Sequence, residues 1–134
     1  MRSKILGGGV LILGLVGLGG IATLAAGGMM PAKQSALVEF RRPTIVAGTI
    51  IGGKVVFAHD DERMARGEPC TTVYQYVPGQ QGKKLVEFMC KPTRAPRAHN
   101  FTARCAAAGV NGPDVLTEYQ FGGDTESHGV PWRP

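Results

Sequence analysis

The sequence predicts an all-β domain, a small antiparallel meander closing into a sandwich or barrel with one short helix, behind a single N-terminal transmembrane helix. Three observations predict it. Residues 44–121 hold runs of β-branched and alternating apolar residues separated by glycine- and proline-bearing turns. Only one short segment carries helix punctuation. Ile5 to Met30 contains no charged residue. The expected organisation is an anchor or signal peptide at 1–30, a linker and first edge strand at 31–43, the β domain at 44–121 and an extended tail at 122–134.

Arg2 and Lys4 precede the uncharged run, and Pro31 follows it. A leader peptide has an apolar core of about 7–15 residues, whereas a spanning helix needs about 20. The length favours a retained anchor. Small residues at Ala25, Ala26, Gly27 and Gly28 keep cleavage open as the alternative. Gly14 and Gly17, with Gly7 and Ala25, fall in one sector of the helix, where small residues let another helix approach. Positive charge lies on both sides of the run, and the basic start leans toward a cytoplasmic N-terminus. The expected location is therefore the bacterial inner membrane, single-pass, with the domain in the periplasm.

Pro31 to Ser35 reads as linker. Thr44–Ile51 and Lys54–Ala58 read as strands joined by a tight turn at Gly52-Gly53. A second hairpin joins Thr71–Val77 to Lys84–Cys90 around Pro78–Lys83. Asn100–Ala106 and Asp114–Phe121 are further strands, with Asn111-Gly112-Pro113 turning between them. Asp60 caps the one helix: Asp61 and Glu62 fall in its first turn, Arg63 and Arg66 near its end, and Gly67 just past it. The acidic run at 60–62 therefore reads as helix-start chemistry rather than a cation site.

The chain has three cysteines, Cys70, Cys90 and Cys105. If Val77 faces Lys84 across the second hairpin, Thr71 faces Cys90, and a small register shift brings Cys70 within bonding reach. A Cys70–Cys90 disulfide is expected, worth roughly 3 kcal/mol in a domain of this size. Three buried free thiols are the alternative. No Cys-x-x-Cys occurs, which argues against thiol catalysis at Cys105.

The formal charge is +5, and omitting Arg2 and Lys4 leaves 13 basic against 10 acidic residues, or +3. That balance permits contact with anionic lipid or an acidic protein face but makes no basic stripe for nucleic acid. Serine-hydrolase, zincin and phosphate-loop motifs are missing. No catalytic residue and no cofactor is expected, and the chain reads as non-enzymatic. Lys91, Arg94 and Arg97 form a basic, proline-stiffened loop suited to an acidic partner or anionic headgroups. Trp132, the only tryptophan, lies between prolines near the C-terminus and suits an interface anchor.

His59, His99 and His128 are spaced in no local metal pattern. His59 beside Asp60 and Asp61, and His128 near Asp124 and Glu126, are the weak metal candidates. A three-histidine site requires the fold to gather them. Surface or structural roles outweigh this reading.

The stretch His59–Thr72 and the stretch from Glu118 to Pro131 resemble small exported bacterial proteins of unassigned function. The resemblance covers about a quarter of the domain, and it implies export and no activity. Together these features lead us to expect an accessory subunit of a bacterial membrane complex, with energy-converting (photosynthetic or respiratory) complexes as hosts. Its expected partners are other transmembrane helices, periplasmic faces of that complex and membrane lipid. The alternative is a secreted periplasmic module for a metal or small ligand.

Overall fold

The structure is a computed structural model and describes residues 33–133. The expected membrane helix, with Gly14 and Gly17, lies outside the described residues. Among these, no helix is long and apolar enough to cross a membrane. The described residues form one compact unit.

Eight strands make a single curled sheet, a half-barrel. They are β1 (Lys33–Val46), β2 (Thr49–Asp60), β3 (Thr71–Val77), β4 (Gln80–Phe88), β5 (Lys91–Arg94), β6 (Thr102–Ala107), β7 (Asp114–Gln120) and β8 (Glu126–Gly129). Their order is β4-β3-β2-β1-β7-β8-β5, and β6 pairs with β7 outside that path. Neighbours are antiparallel except β1 and β7, which meet in parallel through Thr44 and Ile45. The all-β expectation therefore holds.

The long β1–β2 hairpin corrects the expected turn. The chain reverses at Ala47 and Gly48, whose φ values are 48° and 90°, the positive pair of a two-residue primed turn. Gly52 and Gly53 instead lie inside β2, with Gly53 opposite Phe40 beside a register shift that takes up Arg41–Pro43. Proline removes a ladder donor, so a bulge is where it fits. Lys33–Ser35, expected as linker, already belongs to β1.

The β3–β4 hairpin turns more tightly than expected. Pro78 and Gly79 form the turn, with Gly79 at φ 77° and Val77 facing Gln80. Thr71 then faces Phe88 rather than Cys90. The helix α1 (Asp61–Ala65) forms as expected. The Asp60 carboxylate accepts from the backbone N–H of Glu62 at 2.9 Å and of Arg63 at 3.3 Å, and Gly67 follows at φ 73°. The expected C-terminal tail carries a strand, β8, held between β5 and β7.

Alternation along the strands sends Val55 and Phe57 of β2, Val73 of β3, Phe88 of β4 and Leu116 of β7 into one core. Tyr119 is its hub. Its ring centroid lies 5.2 Å from Phe57, 5.6 Å from Phe121 and 5.9 Å from Phe101. The same alternation carries polar side chains inward at one end of the sheet.

Candidate metal centre

The period-two pattern that buries Val55 and Phe57 continues to His59, the last inward position of β2 before the Asp60 cap. After α1, the chain returns to β3 through Cys70, and the Asp60 N–H donates to the Cys70 carbonyl at 3.0 Å. Cys90 repeats the inward parity of Phe88 just past β4. His128 enters from β8, opposite Tyr119 in the ladder. Each of these four side chains belongs to a residue at most 6% exposed.

They converge on the Cys90 sulfur. Cys90 Sγ lies 2.9 Å from Cys70 Sγ, 3.4 Å from His59 Nε2 and 3.5 Å from His128 Nδ1. The ligand atoms of His59, Cys70 and Cys90 all fall within 4.8 Å of one another. The imidazole centroids are 4.4 Å apart. The expected cysteine pair is thus brought together, but as free thiols. A disulfide needs about 2.05 Å between sulfurs; two thiolates on a tetrahedral zinc, each at about 2.3 Å, stand roughly 3.8 Å apart. The pair lies between these geometries. The sulfur–nitrogen spacings already match the roughly 3.5 Å that a thiolate and an imidazole subtend on such an ion.

The surroundings set protonation. Burial lowers the His59 pKa against the opposing pull of Asp61, Asp124 and Asp60. Burial, then the neighbouring His59, takes His128 down to about 4, with Asp124 and Asp61 opposing. Both imidazoles are neutral at pH 7 and free to donate lone pairs. Burial first, and Cys70 second, push the Cys90 thiol up to about 12. Such a thiol is no nucleophile at neutral pH, whereas a bound cation stabilises the thiolate and displaces its proton. Around the cluster, Tyr119 stacks on His128 at 5.0 Å, and Phe121 meets it edge-on at 6.1 Å. The Tyr119 hydroxyl shares a short hydrogen bond with Thr71 Oγ1. This apolar wall excludes water and strengthens electrostatic interactions inside it.

Sequence reasoning singled out His59, His128, Cys70 and Cys90, joined the two cysteines only as a disulfide, and did not bring that pair together with the histidines. His99 is exposed and takes no part. Cys105 is exposed on β6. The expected basic loop is in part a strand: Lys91 and Arg94 lie on β5, exposed, while Arg97 Nη1 donates to the Gly123 carbonyl at 2.6 Å. Trp132 is 63% exposed. No family model matches the chain, and no curated protein or solved structure does either.

Proposed function

We propose that the chain is a metal-binding module. It holds one transition-metal ion at Cys70, Cys90, His59 and His128. A non-enzymatic accessory subunit carries the module on the outer side of a bacterial membrane. The observation that carries the metal reading is the Cys90 sulfur, buried and within 3.5 Å of another thiol and two neutral imidazole nitrogens. Two sulfurs and two imidazoles are the donor set of zinc and copper, and they discriminate against magnesium and calcium. A domain of about 100 residues has a thin stability margin, and an ion bridging β2, β8 and the segments flanking β3 and β4 adds to it directly.

The test is elemental analysis of the full-length chain, purified in mild detergent under reducing conditions. One equivalent of zinc or copper per chain is expected, with loss in Cys90→Ser and in His59→Ala. A wild-type chain without stoichiometric metal after reconstitution sinks the reading. The uncharged run of residues 5–30 supports the membrane setting, and exposed Lys91, Arg94 and Trp132 support docking on a partner. Migration of the gently extracted protein as a free monomer would count against that partnership and leave the metal reading standing.

A further inference from the structure

The inner donor set uses one nitrogen of each histidine. The other two, His59 Nδ1 and His128 Nε2, are buried and have no hydrogen-bond partner among the described residues. Three carboxylates approach them from the solvent side. Asp61 lies 3.3 Å from His59 Nδ1; Asp124 and Glu126 lie 3.9 and 4.0 Å from His128 Nε2. An N–H···O hydrogen bond spans about 2.7–3.2 Å; the gaps at His128 are too wide for one, and the Asp61 contact lies at the outer limit without hydrogen-bond geometry. Two neighbouring donors bound at about 2.0–2.2 Å to the same ion stand roughly 2.8–3.1 Å apart in octahedral and roughly 3.3–3.6 Å apart in tetrahedral geometry. The Asp61–His59 gap has that width, and the two gaps at His128 exceed it by a few tenths of an ångström.

The three acids line one open polar pocket of about 390 Å³. Arg94 is the one cationic residue of that lining, so three carboxylates and one guanidinium leave it a charge of −2. Asp61 comes from α1, Asp124 from the loop before β8 and Glu126 from β8 itself. A divalent ion would therefore tie the helix to the C-terminal strand.

We propose that Asp61, Asp124 and Glu126, with His59 Nδ1 and His128 Nε2, form a second site for a divalent cation. It lies on the solvent side of the thiol-lined centre and shares its two imidazoles; a neutral imidazole offers one lone pair, so with both ions bound each ring has lost its remaining N–H proton to solvent and bridges as an imidazolate. The inner ligands are nearly closed to solvent, and a buried centre needs an entry path. The outer site, beside the solvent-side nitrogens of both histidines, offers such a path, loading the ion that the thiols then hold. This inference rests on the metal reading of the inner centre. Carboxylates and imidazoles without sulfur suit hard or borderline divalent ions and bind them more weakly than a thiolate pair.

The experiment is a cobalt(II) titration of the reduced full-length chain in detergent. Absorbance from thiolate-to-cobalt charge transfer reports the inner centre, and equilibrium dialysis counts all bound ions. The wild type should bind two equivalents, the tighter with the charge-transfer band and the weaker without it. D61N/D124N/E126Q should bind one, with the band intact but appearing at least roughly tenfold more slowly. E126Q alone should weaken the second equivalent, which keeps the test open if the triple variant misfolds. C70S/C90S should lose the band and retain the weaker equivalent. A single equivalent in the wild type, or two undiminished equivalents in both carboxylate variants, overturns the outer site. A wild type that binds cobalt without the band instead refutes the inner reading, so the two failures are distinct.

Discussion

Acid should unfold the metal-free protein through its buried imidazoles, well above the pH at which carboxylates protonate. His128 is 0% exposed, and its pKa falls from 6.5 to about 4 in the fold. The unfolded chain therefore binds a proton below pH 6.5 that the folded chain refuses until about pH 4. Stability is intact above 6.5 and declines through that window. Each pH unit of the gap is worth about 1.4 kcal/mol, so His128 alone removes about 3 kcal/mol by pH 4. His59, lowered for the same cause, acts with the same sign. Glu126, raised by burial and by Asp124 and Asp61, acts in the opposite sense at the lower end of the window. The assay is urea unfolding of the chelator-treated full-length chain between pH 7.5 and 4, followed by the near-ultraviolet circular dichroism of its aromatic side chains. His128→Phe provides the control, since subtracting its profile cancels Glu126 and the exposed carboxylates. The wild type should lose about 3 kcal/mol more than the variant over that range. Parallel profiles would refute the assignment of His128 as a neutral buried imidazole.

Phe57 packs against Phe40, Phe101 and Tyr119, and Phe57→Ala should cost about 3–5 kcal/mol in urea unfolding. Gly82→Ala would place a Cβ 1.9 Å from the Gln75 carbonyl oxygen; a loss of about 1–3 kcal/mol is expected, and an unchanged midpoint would mean the β3–β4 register differs. Bulky maleimide should label exposed Cys105 in the native, reduced chain and reach buried Cys70 and Cys90 only after unfolding. Mass spectrometry of the labelled peptides decides it.

Much of the fold was legible because its rules are local. The Asp60 cap and the Gly67 stop placed α1, and the alternation in residues 71–77 and 84–88 placed β3 and β4. The misplaced turns have a common cause. Gly-Gly at 52–53 and the six residues 78–83 carry stronger turn composition than Ala47-Gly48 or Pro78-Gly79 alone. Yet long-range pairing of Leu37 with Val56 and of Val38 with Val55 fixed the register and left Gly53 at a bulge. β8 was hidden because it is only four residues long and one of its neighbours, β5, lies far away in sequence. The candidate centre followed the same division. Parity with Phe57 marked His59 as inward, and parity with Phe88 marked Cys90. Nothing local indicates that His128, across β7, arrives at the same point.

The chemistry of the cluster conflicts with a purely structural role. Among the described residues, His59 Nδ1, His128 Nε2 and Ser127 Oγ are buried without hydrogen-bond partners, and each such atom costs about 1–3 kcal/mol. A small domain has only about 5–15 kcal/mol of net stability. Phenylalanine in place of either histidine would continue the packing of Phe57, Tyr119 and Phe121 without that cost, as apolar replacements of buried polar groups commonly do. A core built only for stability would therefore not keep two imidazoles facing two thiols. An ion on the inner nitrogens and sulfurs, and another among the carboxylates, would turn the same unpartnered atoms into ligands. The feature that weakens the metal-free fold is then the one that binds.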